Sequence, residues 1–517
     1  MRIETVLAIV GLLLKPFAVV LLVPGLIDLA DGRPDAAAAF AATAAATFLA
    51  GRLLARRRPH AGDVSRVEAM AVVSLAWLAA AVIGAVPFVQ QSFSPVDALF
   101  ESMSGFTTTG STVFVELDYG LVSRGLMFWR ALTQWLGGMG IIAVFIAVFP
   151  ALAVAGRQMF FAEAPGPEEE TLTPRIRHTA SALWKLYTAL TALQAALLWT
   201  LGGMSLFDAV CHAFATLGAG GFSTHPLSLG GYGPAAQWIT IVFMFLAGTS
   251  FALQYRALSR PAVLAQDTEF RAYVWIALLA GVSVAALIAV PQVLDAEASL
   301  RHGLFQTLSL LTTTGFGSDD FALWPAAPLM VLGTLMFIGA CAGSTAGGPK
   351  VVRIVVLAKF LGREILFALH PRAVRVVRLG GRALPSETLR GIVGFLIAYF
   401  ATFVVGAVLV AVIENDLTIG ITGSIATLGN TGPGFGSIGP MGTFANLSTA
   451  TKLIFTAEMW VGRLEVMTVL VLFHPHALRA LFSRRAAGSQ GASGAPPSPA
   501  LSDLPSPPPA RETTSST

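Results

Sequence analysis

Four short segments of the chain align without gaps on a glycine that ends each of them. The segments are DALFESMSGFTTTG (97–110), DAVCHAFATLGAGG (208–221), HGLFQTLSLLTTTG (302–315) and IGITGSIATLGNTG (419–432). In each, an apolar stretch too short to cross a bilayer leads into small or hydroxyl residues and then glycine. Four matches at corresponding places indicate an internal repeat, which constrains the fold more than any single motif.

The segments between these matches are apolar enough to span a membrane. The chain of 517 residues is 55% hydrophobic and only 12% charged, whereas soluble domains are about one quarter charged. A transmembrane helix needs about 20 apolar residues. Ten candidate spans result, at roughly 5–27, 37–55, 69–90, 127–150, 181–202, 236–256, 272–291, 327–348, 391–413 and 450–473. We therefore predict an all-α polytopic membrane protein.

The placement of charge predicts the orientation of these spans. Arginine and lysine cluster in segments 52–58, 175–185, 256–271, 350–390 and 479–485, whereas acidic residues fall mostly in the segments between them. Basic loops remain in the cytoplasm, so both termini are expected there. The net charge of +4 and the pI near 9.3 then reflect topology, and nucleic acid is not an expected partner.

The repeat divides the chain into units of helix, re-entrant helix, extended loop and helix. The re-entrant segments are expected at 95–106, 206–217, 300–311 and 418–428. The predicted boundaries are an N-terminal transmembrane pair (1–57), pore repeats 1 to 4 (58–150, 151–257, 258–362 and 363–482) and a tail (483–517). The tail is rich in serine and proline and cannot bury a core, which predicts a disordered cytoplasmic segment.

The four glycine-ended loops suggest a cation filter. Non-helical backbone at membrane depth is tolerated where it is buried in protein or lines a water-filled path. Four such loops around one axis would offer carbonyl oxygens in place of a cation's hydration shell. Glycine permits the unusual backbone this requires, and the partly negative C-terminal ends of the re-entrant helices favour a cation. The alternative, a simple turn between packed helices, accounts less well for four copies in register.

Further motifs, RALTQWLGGMGI (130–141), GAGGFSTH (218–225) and GRLEV (462–466), complete a family pattern. With the repeats, they resemble the Trk/Ktr/HKT superfamily, and the N-terminal pair is similar to its TrkH branch. The resemblance covers nearly everything up to about residue 482. It implies four channel-like repeats around one pore and a homodimer in the lipid of the bacterial inner membrane. It also implies potassium uptake under a cytosolic nucleotide-binding regulatory subunit, with potassium as substrate and no covalent cofactor.

The resemblance further implies which residues form the potassium-binding filter. They are Thr108, Thr109 and Gly110; Ala219, Gly220 and Gly221; Thr313, Thr314 and Gly315; and Asn430, Thr431 and Gly432. The second and fourth triplets lack the threonine pair followed by glycine, so a ring of hydroxyls with strict fourfold symmetry is not expected. In the family, glycine at the first-filter position accompanies potassium preference and serine accompanies sodium permeation. Gly110 therefore favours potassium.

A run of small residues, GACAGSTAGGPK (339–350), interrupts the span after the third filter segment. The resemblance implies an intramembrane gate here, formed by Gly343, Ser344, Thr345, Ala346, Gly347, Gly348 and Lys350. The alternative is close helix packing through glycines spaced by four. A nucleotide-binding P-loop is disfavoured, because valine follows Lys350 and no strand precedes the run.

Arg463 lies near the middle of the last span, where a charge is costly and functional by default. It resembles the family's arginine that projects below the filter and limits conduction. The alternative is an ion pair with Glu458 or Glu465. Polar residues also occupy equivalent positions in three re-entrant segments, and we expect them to hydrogen-bond within the bundle. These residues are Glu101, His212 and Gln306.

Two other classes of function were weighed. A membrane-embedded transferase would need acids, bases or metal ligands that converge at membrane depth, and the sequence has no such cluster. We therefore expect no enzymatic activity. A sodium- or proton-coupled transporter of cations or other solutes is typically built from broken helices in inverted repeats, whereas the four repeats here run in one orientation.

Overall fold

The computed structural model describes residues 3–56, 66–116, 118–147, 172–292, 295–473 and 475. It is mostly helical, which confirms the all-α class. By length and hydropathy alone, five of the described helices can cross a membrane, or six if one bent pair counts as a single span. The predicted tail, 483–517, lies outside the described residues.

The N-terminal region forms a packed hairpin of helices. Its helices are Ile3–Val20, Leu22–Ala30 and Pro34–Ala55. Gly11 and Gly51 let the two arms approach closely, because a Cβ on Gly51 would lie 2.9 Å from the carbonyl oxygen of Gly11. Close approach through glycine is a common way to pack helices in a bilayer.

The other described residues form four runs of helices, one around each re-entrant segment. The first has helices Arg66–Gln90, Pro95–Phe106, Asp118–Leu121 and Arg124–Ala147. The second has Leu172–Thr200, Leu206–Leu217, Pro234–Ala247, Phe251–Ala257 and Ala262–Gln266, with a 3₁₀ turn at Ser228–Gly231. The third has Thr268–Gln292, Ala296–Leu311, Ala326–Met336 and Val351–Leu369, with a 3₁₀ turn at Phe321–Leu323. The fourth has Ser386–Glu414, a π turn at Ile419–Gly423, Ser424–Leu428, a 3₁₀ turn at Gly436–Ile438, Thr449–Arg463 and Val466–Phe473.

A small antiparallel hairpin, not predicted from the sequence, joins the third unit to the fourth. Its strands are Arg378–Leu379 and Arg382–Ala383, with Arg378 paired to Ala383. Two adjacent glycines with positive φ, Gly380 and Gly381, make the turn, as expected for a two-residue hairpin loop.

The re-entrant helices are named pore helix 1 (Pro95–Phe106), pore helix 2 (Leu206–Leu217), pore helix 3 (Ala296–Leu311) and pore helix 4 (Ile419–Leu428). Each begins at a polar side chain that accepts backbone N–H groups. The caps are Ser94, Ser205, Asp295 and Asp416. Such a cap satisfies donors that the first helical turn leaves free. Pore helices 1 and 2 have the bounds predicted, whereas pore helix 3 begins at Ala296 rather than residue 300, because Asp295 caps it earlier.

The prediction of continuous spans is wrong for spans 236–256 and 450–473, whereas the interruption predicted within span 327–348 is present. Span 236–256 bends by 99° between helices Pro234–Ala247 and Phe251–Ala257. Span 327–348 ends as a helix at Met336, and span 450–473 is interrupted after Arg463. The backbone explains the last two breaks, because Gly339 and Glu465 have positive φ, which a right-handed helix cannot accommodate.

Candidate ion pathway

The four glycine-ended loops meet in a closed ring. A Cβ added to Gly110 would overlap the carbonyl oxygen of Gly220, one on Gly221 that of Thr314, and one on Gly315 that of Thr431. The circle is completed by Gly432, whose Cβ would lie 2.6 Å from the carbonyl oxygen of Thr109. Each filter glycine therefore faces the residue that precedes the filter glycine of the next repeat. All twelve predicted filter residues are brought together in this ring.

The backbone of the four loops follows one pattern. The glycine has positive φ in every loop, between 78° and 102°. The residue two positions earlier also has positive φ, between 51° and 55°, and it is Thr108, Ala219, Thr313 or Asn430. Positive φ is uncommon for residues other than glycine. The same two unusual positions in all four loops show that the repeat preserves a backbone shape although the side chains differ.

Carbonyl groups in these loops lack protein hydrogen-bond partners. Within the part of the chain that the structure describes, no protein donor reaches the carbonyl oxygens of Thr108, Thr109, Gly110, Ala219, Gly221, Thr313, Thr314, Gly315, Asn430 or Thr431. The other two filter carbonyls are occupied, because Gln134 Nε2 donates to Gly220 at 2.7 Å and Ser111 Oγ donates to Gly432 at 2.8 Å. Buried carbonyl groups are nearly always paired, so this concentration of free oxygens is suited to binding a cation.

Hydroxyl groups brace the first and third loops in the same way. Thr107 Oγ1 lies 2.7 Å from Thr109 Oγ1, and Thr312 Oγ1 lies 2.8 Å from Thr314 Oγ1. In the second and fourth loops glycine stands where Thr107 and Thr312 stand. Loops with a threonine at this position therefore alternate around the ring with loops that have a glycine there. This agrees with the expectation that hydroxyls would not form a strict fourfold ring.

Polar residues of the pore helices tie each helix to the chain that follows its filter. Glu101 accepts the backbone N–H of Val113 at 2.9 Å, and His212 Nε2 lies 2.9 Å from Ser223 Oγ. Gln306 Nε2 donates to the carbonyl of Asp319 at 3.2 Å. Hydrogen bonding within the bundle, as predicted for these three residues, is confirmed. In the fourth repeat the equivalent residue is Gly423, and the neighbouring hydroxyl of Thr422 receives Phe435 N at 3.0 Å instead.

Residues 337–350, here called the gate loop, leave the helical path between Met336 and Val351. The loop contains all seven predicted gate residues other than Arg463, and it includes no helix, so the alternative of helix packing through these glycines is wrong. Gly343, Gly348 and Lys350 have positive φ. The Lys350 ammonium turns back to the carbonyl oxygen of Ala346, and Ser344 Oγ donates to the Cys341 carbonyl at 2.6 Å.

The gate loop lies at the ends of the pore helices. Thr345 Oγ1 donates to the carbonyl of Leu217, the last residue of pore helix 2, at 2.8 Å. Gly347 N donates to Thr313 Oγ1 at 2.6 Å, and a Cβ on Gly347 would overlap the carbonyl oxygen of Gly429. The loop therefore contacts the second, third and fourth repeats where their pore helices lead into the filter.

Arg463 joins the gate loop to the first repeat. Its Nη1 donates to the carbonyl of Thr345 at 2.9 Å, and its Nη2 donates to the carbonyl of Gly137 at 3.1 Å. The predicted alternative partners bind elsewhere, since Glu465 pairs with Arg353 at 2.7 Å and Glu458 accepts Thr427 Oγ1 at 2.7 Å. The buried guanidinium is thus held by carbonyl oxygens and not by a carboxylate.

Sequence reasoning missed several residues that hold this arrangement. Gln134 forms two hydrogen bonds with the second loop. Its Nε2 donates to the carbonyl of Gly220, and its Oε1 accepts the backbone N–H of Phe222 at 3.0 Å. Ser111 bonds the first loop to the fourth. Glu269 accepts the backbone N–H groups of Ala342 and Val352 beside the gate loop. A polar side chain within an apolar segment was the signal available for Gln134.

No group of three or more His, Cys, Asp or Glu residues that could hold a metal ion occurs among the described residues. Cys211 and Cys341 are both buried free thiols. The oxygen-lined ring is therefore the site on which a functional interpretation depends.

The fold and the site define a channel-like membrane transport protein. A family model described as a cation transport protein, TrkH, matches residues 36–270 and 276–479. The Trk system potassium uptake protein TrkH of Salmonella typhimurium is 38% identical over 484 residues, which cover 92% of this chain and 99% of that protein. The Trk system potassium uptake protein TrkI of Halomonas elongata is 34% identical over 91% of this chain and 96% of its own length.

The crystal structure of the potassium transporter TrkH from Vibrio parahaemolyticus matches the fold with a TM-score of 0.85. That match has 35% identity and covers 93% of this chain and 100% of the other. The chain belongs to the TrkH family of cation transport proteins.

Proposed function

We propose that this protein takes up potassium across the bacterial cytoplasmic membrane through the ring of four loops. The observation that carries the proposal is the set of filter carbonyls, most of them in buried residues, that no protein donor reaches in the part of the chain that the structure describes. Carbonyl oxygens in rings can replace the hydration shell of potassium. The names of the relatives, which are potassium uptake proteins, agree with this assignment.

The gate loop and Arg463 are proposed to control this flux. Thr345 and Gly347 hold the loop against the inner end of the filter, and a buried guanidinium opposes a cation electrostatically at the same depth. Conduction then requires the loop and the arginine to move aside. The carbonyl contacts of Arg463 couple the two movements, because the loop cannot shift at Thr345 without breaking one of them.

We further propose a homodimer with cytoplasmic termini that is regulated by a cytosolic nucleotide-binding subunit. Helix Val351–Leu369 begins directly after the gate loop. Further along this helix, Lys359 and Arg363 line a groove of about 760 Å³ together with Arg375 and Arg378. A soluble partner that binds this basic groove would be able to displace the helix and, with it, the end of the gate loop.

The test is rubidium and potassium uptake by cells that lack their own potassium transporters, with a cognate regulatory subunit supplied. Wild type is compared with Gly315→Ser at matched membrane expression. The new side chain would meet the carbonyl oxygen of Thr431 at a backbone φ of +82°, so the ring must distort. Gly391→Ser is the matched control, because no atom lies within 4 Å of a Cβ at that position.

We expect wild type and Gly391→Ser to prefer potassium over sodium and Gly315→Ser to lose much of that preference. Selectivity that is indifferent to Gly315 would remove the filter assignment. A well-expressed wild type that takes up sodium but no potassium would contradict the choice of ion. Uptake that stops without an imposed sodium or proton gradient would assign coupled transport instead of passive conduction.

A further inference from the structure

We infer that Glu269 is a positioning residue that clamps the gate loop in place beneath the filter. Glu269 lies in the first turn of helix Thr268–Gln292, away from the ring, and contacts no filter residue. The inference rests on the proposed function of the gate loop and adds a residue that holds the loop from outside the pore.

The clamp consists of two hydrogen bonds to the Glu269 carboxylate. One carboxylate oxygen, Oε1, accepts the backbone N–H of Ala342 at 2.7 Å and that of Val352 at 3.2 Å. Ala342 lies within the gate loop, and Val352 lies in the first turn of the helix that follows it. A first-turn N–H has no partner inside its own helix. If Glu269 bound only Val352, it would be an ordinary helix cap. Because it also binds Ala342, it bridges the gate loop and the helix that follows.

Glu269 can make both hydrogen bonds only when the gate loop brings Ala342 and Val352 close together. Because both nitrogens bind one oxygen, they lie within about 6 Å of each other, whereas ten residues of continuous helix would separate them by about 15 Å. A loop that straightened to leave the pore would therefore break at least one of the two bonds. An interaction made in one conformation only shifts the equilibrium toward that conformation.

Among the described residues, backbone N–H groups are the partners of Glu269. The side chain is only partly buried, and it forms no ion pair within the described segments. The nearest cation along the loop, Lys350, is directed to the carbonyl of Ala346, and Asp267 caps its own helix at Phe270 N. The loop is thus held by two backbone hydrogen bonds to one carboxylate oxygen.

The first experiment measures rubidium flux without the regulatory subunit, where the gate loop is expected to stay in place. Glu269→Ala removes the acceptor and should raise this basal flux by roughly tenfold, because hydrogen bonds to a charged group are the strong ones. Glu269→Gln keeps an oxygen at the same position and should stay closer to wild type. Glu387→Ala, which removes an exposed carboxylate from the helix Ser386–Glu414, is the control and should leave basal flux unchanged.

Measuring flux in Arg463→Ala distinguishes a failure of the clamp proposal from a failure of the gate proposal. If Arg463→Ala raises basal flux and Glu269→Ala does not, the clamp is wrong and the gate stands. If neither variant raises it, the proposed gate fails and the clamp fails with it. Equal effects of Glu269→Gln and Glu269→Ala would contradict a hydrogen-bonded clamp, since only the alanine variant loses the acceptor oxygen.

A second measurement does not depend on flux. Cys341 is buried next to Ala342, and its backbone N–H donates to the carbonyl of Gly248 at 3.0 Å. In a Cys211→Ser background, Cys341 is the sole thiol of the chain. A thiol reagent applied from the cytoplasmic side should label it several-fold faster in Glu269→Ala than in Glu387→Ala. Equal labelling rates in the two folded variants would overturn the clamp.

Discussion

Ser111 Oγ donates a hydrogen bond of 2.8 Å to the carbonyl oxygen of Gly432, 321 residues further along the chain. Ser111 directly follows the first filter glycine, and Gly432 is the last. This bond therefore joins the end of the fourth loop to the first loop and closes the ring with a side chain. The equivalent positions in the other repeats are Phe222, Phe316 and Pro433, which have no hydroxyl, so only one of the four junctions is bonded in this way.

Ser111→Ala is expected to loosen this junction and reduce the preference for potassium over sodium by about fivefold, since a neutral hydrogen bond contributes about 1 kcal/mol. The measurement is competition between rubidium and sodium uptake. Ser111→Thr, which retains a hydroxyl, should stay near wild type. Ser437→Ala removes an exposed serine and serves as the control. A selectivity loss in Ser437→Ala as large as that in Ser111→Ala would argue against a specific role for this junction.

Arg463→Ala is expected to raise cation flux by at least about tenfold, because it removes two charge-assisted hydrogen bonds that join the gate loop, at Thr345, to the first repeat, at Gly137. It also removes a positive charge from the pathway. The measurement is the initial rate of rubidium uptake at matched expression. Arg463→Lys should give an intermediate flux, since a single ammonium cannot reproduce the planar fork that reaches both Thr345 and Gly137.

The control for this series is Arg390→Ala, an exposed arginine near the start of helix Ser386–Glu414. It removes the same charge from an exposed position and should leave the rate unchanged. Unchanged flux in Arg463→Ala, from a folded protein at normal expression, would show that this arginine does not limit conduction.

Local signals in the sequence predicted much of the fold. Pore helices 1 and 2 have the predicted bounds, because each is a short apolar stretch that leads into the small and hydroxyl residues before a filter glycine. Pore helix 4 lies within one residue of its predicted bounds, 418–428. Its first turn is a π turn at Ile419–Gly423, which no residue pattern announces. The small residues of 339–350 announced the interruption of span 327–348. The breaks in spans 236–256 and 450–473 were not predicted, because hydropathy averages over a window and does not detect a change in backbone direction.

The candidate site was predictable to the extent that it repeats. The filter triplets appeared four times in one register, and the structure brings all four together. The residues that fasten them do not repeat, and their partners are distant in sequence, as in the bonds of Gln134 to Gly220 and of Glu269 to Ala342. The alternative partners named for Arg463 were carboxylates because charge is visible in a sequence, whereas backbone carbonyl acceptors are not.

The Glu101–Arg130 ion pair is expected to be a main support of pore helix 1. The two side chains approach to 2.8 Å and are almost fully buried, and the guanidinium also lies over the rings of Phe114 and Phe222. Removing one member of a buried pair leaves the other charge without compensation, which typically costs about 3–5 kcal/mol. Glu101→Ala should therefore lower the free energy of unfolding by about that amount, as measured by thermal or denaturant unfolding in detergent.

The exposed ion pair of Arg124 and Asp31 provides the comparison. Its N–O distance is 2.9 Å, close to that of the buried pair, but 57% of the Arg124 side chain is exposed. Exposed pairs contribute about 0–1 kcal/mol, so Arg124→Ala should change stability little. Glu101→Gln should fall between the two alanine variants, because it keeps hydrogen-bonding groups near Thr112 and Val113. Equal destabilisation by Glu101→Ala and Arg124→Ala would mean that burial does not set the contribution of these pairs, and that pore helix 1 is held mainly by its apolar contacts.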